Sequence, residues 1–322
     1  MVLNHLVYIL AAVGILSLAS RILSGANLFN QFFLRRGSFS RYVSSDHTCP
    51  TWALVTGSSD GIGLAFAREL CVQGVNVILH GRNQAKLMRV KTQLLSSFPN
   101  RRIEVFVFDA AQQDGKESIN AFVESVRSLP DGGVLRILVN NVGGANNLIG
   151  KGVFRPLEDT TLDQVDKLIN INARFPALLT TALLPILTSS NNTPTLVLNI
   201  GSFAAIASLP YTVVYSASKA FNLIFSKSLA AEMMAQGKNV EVIGFIVGSV
   251  DTPGAPKDDD DALFSIDPDT MARNALNLVG CRKEMVFSHW KHWLTHAIMQ
   301  LMPRSMILSM MKRKWQDGKK TK

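Results

Sequence analysis

Short runs of β-branched and aliphatic residues alternate, from Thr51 onward, with longer stretches in which apolar residues recur every three or four positions. The short runs, apolar on both faces, read as buried parallel strands at Trp52–Val55, Val75–His80, Ile103–Asp109, Ile137–Asn140, Leu196–Ile200 and Val240–Val247. Between them Gly63–Val72, Ala85–Leu95, Ile119–Leu129, Leu162–Leu187 and Val213–Met234 have the length and period of helices. Strict β-α alternation predicts an α/β fold, a doubly wound parallel sheet in a single domain.

The two ends follow other patterns. Val2–Ala19 is almost wholly apolar, interrupted by Asn4, His5 and Ser17 and closed by Arg21, so residues 1–21 have roughly the ~20-residue length of a membrane-spanning helix. A cleaved signal peptide is the competing reading, since Ser17-Leu18-Ala19 offers small residues to a peptidase. No lysine or arginine precedes the segment, and the early positive charge follows it, which favours an anchor with the next domain in the cytosol. Residues 22–50 read as a loose connector. A second apolar stretch, Met285–Met311, is interrupted by His289, Lys291, His292, His296 and Arg304. It is too polar to span a bilayer. Residues 289–322 are therefore expected as an apolar yet basic, amphipathic C-terminal extension lying on a membrane or hydrophobic substrate, or packed on the main body.

The net charge of +9 suggests nucleic acid until it is located. Four arginines against Asp46 fall in residues 1–50, and seven bases against Asp317 fall in residues 303–322. The 22 bases and 22 acids between them cancel. A neutral body with basic ends points to an anionic membrane surface and lacks the basic stripe that DNA or RNA binding needs. The last residues, Lys319-Lys320-Thr321-Lys322, match the dilysine pattern of endoplasmic-reticulum membrane proteins with cytosolic tails, and a solvated charge run is the alternative. Cys49, Cys71 and Cys281 form no close-spaced metal pattern and fit a reducing compartment, so no metal is expected.

A glycine-rich turn joins the first strand to the first helix: Gly57, Ser58, Ser59, Asp60, Gly61, Ile62 and Gly63. Glycine at these spacings lets backbone approach a pyrophosphate, and the helix N-terminus beyond supplies N–H groups and a favourable dipole. The second strand ends in His80-Gly81-Arg82-Asn83, with no acid to receive a ribose 2′-hydroxyl and with Arg82 available for a 2′-phosphate, so NADPH is the expected cofactor. Asp109 is either an adenine contact or a strand-end cap. Asn141, in Asn140-Asn141-Val142-Gly143, ends the fourth strand, on the edge where open α/β sheets bind ligands.

Tyr215 and Lys219 stand at i and i+4 of one helix face. A free phenol, with a pKa near ~10, is a poor proton donor at neutral pH. A cation one turn away stabilises phenolate and brings that pKa down. Ser202, thirteen residues before Tyr215, can donate a hydrogen bond to a carbonyl oxygen as charge develops on it.

In this order and spacing, these residues resemble the short-chain dehydrogenase/reductase family over residues 51–288. The resemblance implies a Rossmann-type oxidoreductase in which Tyr215 is the general acid of ketone reduction, and Lys219 binds the nicotinamide ribose as well as tuning Tyr215. It further implies that Ser202 polarises the substrate, that Asn172 holds a water of the proton relay, and that Thr252 contacts the nicotinamide carboxamide. The anchor, Asn140-Asn141-Val142-Gly143, Leu198-Asn199-Ile200-Gly201-Ser202-Phe203 and Tyr215-Ser216-Ala217-Ser218-Lys219-Ala220-Phe221 resemble the membrane-bound subgroup of very-long-chain 3-oxoacyl-CoA reductases and hydroxysteroid dehydrogenases. That implies reduction of a 3-oxoacyl-CoA in fatty-acid elongation, with a steroid or other lipid ketone as the alternative. The implied setting is the endoplasmic-reticulum membrane, facing the cytosol, with helix 213–234 as a homodimer face. A catalytically inactive lipid-binding or scaffold member is the remaining reading. Gly144-Ala145-Asn146-Asn147 and the acidic run Asp258–Asp261 depart from the subgroup's pattern; the run reads as a solvated loop, and as part of a substrate lid it would repel the phosphates of CoA.

Overall fold

A computed structural model describes residues 2–35, 37–46, 48–112, 115–145, 154–189, 192–255 and 262–320. The Asp258–Asp261 run, Asn146-Asn147 and the last two residues of the dilysine pattern lie outside them.

Seven parallel strands form one sheet in the order β3-β2-β1-β4-β5-β6-β7. They are β1 (Thr51–Thr56), β2 (Asn76–Gly81), β3 (Ile103–Val107), β4 (Val134–Asn140), β5 (Thr195–Ile200), β6 (Val240–Ile246) and β7 (Met285–Phe287). The apolar alternation of β1 explains why the sheet is wound on both sides. Ala53 and Val55 join one core with Phe66 and Leu70 of α2 (Gly61–Val72), Leu87 of α3 (Gln84–Ser97) and Met271 of α9 (Pro268–Leu278). Trp52 and Leu54 join the other, with Phe122 of α4 (Lys116–Arg127), Leu179 of α6 (Phe175–Leu187) and Leu229 of α8 (Val213–Ala235). Each aliphatic side chain buried this way contributes roughly 1.5–3 kcal/mol. The strand order reverses between β1 and β4, so the ends of these two strands open a crevice.

Four differences from expectation bear on the site. The helix expected at Leu162–Leu187 is interrupted: α5 (Leu162–Ile169) gives way to a π-helical turn at Asn170–Arg174 before α6. An extra residue in that turn re-aims the side chains, a device concentrated at functional sites. The third strand stops at Val107, because the carboxylate of Asp109 accepts from the Ala111 N–H and turns the chain. The sheet gains β7, a strand of three residues, too short to leave a periodic signal.

The fourth difference is at the N-terminal side. Helix α1 runs from Val2 to Phe29, and an apolar stretch long enough to cross a membrane, Leu10–Leu34, has no buried residue among those described. Residues 22–50 are not loose. Phe39 and Tyr42 are buried in the main core, Arg41 and Tyr42 both reach Glu241 at the edge of β6, and the Gly280 N–H donates to the same carboxylate at 2.8 Å. A side chain on Gly37 would collide with Asn277, so the chain passes against the body through a residue with no Cβ.

Candidate active site

The glycine turn is pinned from both neighbouring strands. Thr56 Oγ1 donates to the Val139 carbonyl (3.2 Å) and accepts from the N–H groups of Asn141 (2.9 Å) and Val142 (3.0 Å). The Asn141 carboxamide donates to the carbonyls of Thr56 (2.9 Å) and Gly57 (3.3 Å). Gly57 has φ +66°, and a side chain there would stand 3.0 Å from the Val142 backbone. At Gly63 a side chain would be driven into the Gly57 carbonyl. The resulting loop is flat against the sheet edge and leads into the N-terminus of α2, where the Asp60 carboxylate accepts from the Gly61 N–H at 2.8 Å. Thr252, in the loop after β6, packs on Gly61 from the other side, at 3.2 Å from the position a side chain would take. Ser59 is half-buried in the loop, and Ile62 packs on the core. This cradle, empty of side chains and facing a helix N-terminus, fits a dinucleotide pyrophosphate.

The remaining nucleotide positions divide. Arg82 is exposed on the turn between β2 and α3. The Asn83 carboxamide accepts from the Lys86 N–H (2.9 Å) and so caps α3. Ser58 is buried, and its hydroxyl exchanges hydrogen bonds with the backbone N–H (3.0 Å) and carbonyl (3.3 Å) of His80. Asp109, the turn-forming carboxylate, is half-buried beyond β3.

Lys219 and Asn172 converge on one glycine. A side chain on Gly143 would lie 2.6 Å from Asn172 Oδ1 and 2.8 Å from Lys219 Nζ. Asn172, fully buried in the π-turn, accepts from the Gly144 N–H (2.9 Å) and donates to the carbonyls of Gly144 (3.1 Å) and Leu168 (3.0 Å). Lys219 donates to the Ile200 carbonyl at 2.9 Å, and burial lowers its pKa to about 8. Burial raises the pKa of the Tyr215 phenol, while the neighbouring Ser202 hydroxyl draws it back down. Ser202 stands just past β5, where its Oγ also accepts from the Ala204 N–H (3.2 Å) at the start of α7 (Ala204–Ala207). Tyr215 and Val214 pack with Ala145 and Leu168, which closes the apolar side of the site.

Beneath these groups a buried polar ladder ties β4, β5 and α8 together. Asn140 donates to Thr180 Oγ1 and to Asn199 Oδ1, and Asn199 donates to Ser226 Oγ, each at 2.8 Å. Such a ladder fixes strand register where side chains must be placed to fractions of an ångström.

His80 emerges only from the structure. Fully buried and held neutral with a pKa lowered to about 3, it accepts from the Gly57 N–H through Nδ1 (3.3 Å), while its ring stacks on Phe175 at 5.1 Å. A polar residue closing an otherwise apolar strand was the available signal. Thr56 and Asn170, which donates to the Ala111 carbonyl (3.2 Å), were likewise invisible as bridges. Among the described residues no group of histidine, cysteine or acidic side chains is arranged to hold a metal ion.

Residues 51–262 match the short chain dehydrogenase family. Curated relatives over nearly the whole chain are very-long-chain 3-oxoacyl-CoA reductases. That of Neurospora crassa is 30% identical over 292 residues, covering 90% of this chain and 82% of its own. That of Candida albicans is 31% identical over 297 residues, covering 89% and 80%. Among solved structures, a 7β-hydroxysteroid dehydrogenase superposes with a TM-score of 0.67 at 20% identity, over 82% of this chain and 98% of that one. L-sorbose reductase from Gluconobacter frateurii, complexed with NADPH and L-sorbose, superposes with 0.61 at 24% identity, over 74% and 95%. At such identities these structural likenesses establish the fold.

Proposed function

This chain belongs to the short chain dehydrogenase family and is an oxidoreductase of C=O and CH–OH groups, and from that premise we propose that it reduces 3-oxoacyl-CoA to 3-hydroxyacyl-CoA in very-long-chain fatty-acid elongation, using NADPH. The substrate reading rests on the reductases it resembles across nine-tenths of its length. The chemical reading rests on one observation: the buried Lys219 ammonium, one helical turn from Tyr215, is held by the Ile200 carbonyl beside Asn172.

When bound, a reduced nicotinamide supplies a hydride. Gly57, Gly61 and Gly63 would hold its pyrophosphate, Asn141 and Thr252 would flank it, and Arg82 would meet a 2′-phosphate. Tyr215 gives its phenolic proton to the substrate oxygen as negative charge grows there. Ser202 donates a hydrogen bond to that same oxygen and so orients the ketone. Lys219, in a dry site, favours the phenolate that Tyr215 leaves behind. Asn172 positions the Gly143–Gly144 backbone and, beside Lys219, the path by which the proton is replaced.

The exposed apolar α1 followed by arginines supports an endoplasmic-reticulum membrane anchor with the site in the cytosol. On α8, exposed Phe221 and Ile224 support a homodimer face. The full chain in phospholipid vesicles, offered 3-oxoacyl-CoA esters and ketosteroids with NADPH, tests the reading. Formation of 3-hydroxyacyl-CoA is the expected outcome; turnover of ketosteroids alone would overturn it.

A further inference from the structure

The C-terminal extension folds over the substrate side of the site as two helices, α10 (Trp290–Leu301) and α11 (Arg304–Lys320). His292 locks α10 down. Fully buried, it shares hydrogen bonds with Ser288 Oγ (2.9 Å) and the Ser249 carbonyl (3.1 Å), and its ring occupies the space a side chain on Gly248 would need. From there His296 meets Phe203, the neighbour of Ser202, edge-on at 5.9 Å.

Helix α11 crosses the next part of the same loop. Met311 is buried, and the Trp315 indole stacks on the Tyr211 ring with centroids 5.0 Å apart and planes 13° from parallel. Tyr211 has φ +66°, an uncommon conformation for an aromatic residue, and its carbonyl accepts from the Arg155 N–H at 2.7 Å. It stands four residues before Tyr215. A cavity of about 300 Å³ lies between loop and helix, lined by Pro210, Tyr211, Leu308, Ser309 and Lys312. Pro210, Tyr211 and Leu308 make most of its lining apolar, Ser309 and Lys312 complete it, and Lys312 and Arg313 are exposed at successive positions of the helix.

We propose that this groove takes the thioester arm of an acyl-CoA and that Lys312 and Arg313 bind the phosphates beyond it; the proposal rests on the acyl-CoA reading above. The charge distribution supports that occupant. The central body is neutral, and the basic excess of the C-terminal end is carried by α11 and the residues after it, the helix that packs on Tyr211. An open, largely apolar groove with lysine and arginine beside it suits an uncharged arm followed by phosphates. Trp315 holds Tyr211 in place as a side of the groove and is a positioning residue.

The test uses the full chain in phosphatidylcholine vesicles, NADPH, and one long 3-oxoacyl group on two carriers: CoA, and N-acetylcysteamine, which keeps the thioester and lacks the phosphates. Reversing the rim charges (Lys312→Glu with Arg313→Glu) is expected to raise KM for the CoA ester about tenfold more than for the N-acetylcysteamine ester. Trp315→Ala is expected to raise KM for both, with Trp315→Phe restoring it. Equal changes on both carriers from the charge reversal, or none, would overturn the phosphate rim while the acyl-CoA reading stands. If neither thioester is reduced and a ketosteroid is, the acyl-CoA reading itself fails and the groove assignment with it.

Discussion

The Lys219 ammonium donates to the Ile200 carbonyl across 2.9 Å, which joins the catalytic helix to the end of strand β5. Lys219 is only 4% exposed, and water is too scarce around it to solvate a full charge. The Ile200 carbonyl is what makes the ammonium tenable there. The following predictions start from that arrangement.

Replacing Tyr215 with Phe removes the proton donor and leaves the ring. Turnover is expected to fall by about 10²- to 10⁴-fold. Cofactor affinity, read by fluorescence titration with NADPH, should stay within about twofold of the parent. Retained turnover would take the proton-donor role away from Tyr215.

The folded-state pKa of Lys219, about 8, lies below that of an unfolded lysine. Between about pH 8 and pH 10.5 the unfolded chain therefore holds a proton that the folded one has released, and stability gains from this group as pH rises, by about 1.4 kcal/mol per pH unit. Urea unfolding of Lys219→Met across that window should lack this increment. An unaltered pH dependence would mean that the ammonium is not buried as described.

Histidines 80 and 292 act at the other end of the scale, with pKa values lowered to about 3 and about 4 by burial. Below about pH 6.5 the unfolded chain takes up protons these two refuse, so stability falls as pH drops, by at most about 1.4 kcal/mol per pH unit for each. His80→Gln and His292→Gln should each flatten the acid limb by up to one proton. Of the two, His80→Gln should also weaken cofactor binding, because the Gly57 N–H loses its partner.

Arg82→Ala is expected to raise KM for NADPH by about tenfold or more and to leave KM for NADH nearly unchanged, since only NADPH carries the 2′-phosphate. Steady-state kinetics with both nucleotides decide it. Equal losses would place Arg82 elsewhere in recognition.

The alternation of strands and helices and the glycine turn were legible because each is local. Fully apolar runs make Leu54 and Val197 core residues, and glycine spacing alone marks a backbone that must lie flat. Tyr215 and Lys219 were legible because helical periodicity puts i and i+4 together. The bridges were not. His80 to Gly57, Asn141 to Thr56 and Asn172 to Gly144 join residues 23, 85 and 28 positions apart, and only the folded sheet brings them together. The π-turn escaped because its residues have ordinary helical composition, and β7 because three residues carry no period. The polar interruptions of Met285–Met311 gave no hint of their partners: His292 against Gly248 and His296 against Phe203 are contacts between distant segments.

The central claim is that this site delivers hydride to C3 of a 3-oxoacyl-CoA while Tyr215 protonates the oxygen. It is tested most directly by isotope transfer. The full chain in vesicles is given a long 3-oxoacyl-CoA with NADPH deuterated at the transferable C4 position, in ordinary water. Mass spectrometry should find one deuterium at C3 of the 3-hydroxyacyl-CoA, its formation slowed by about 10²-fold or more in Tyr215→Phe. A product without deuterium, or no 3-hydroxyacyl-CoA from any long chain, would contradict the account.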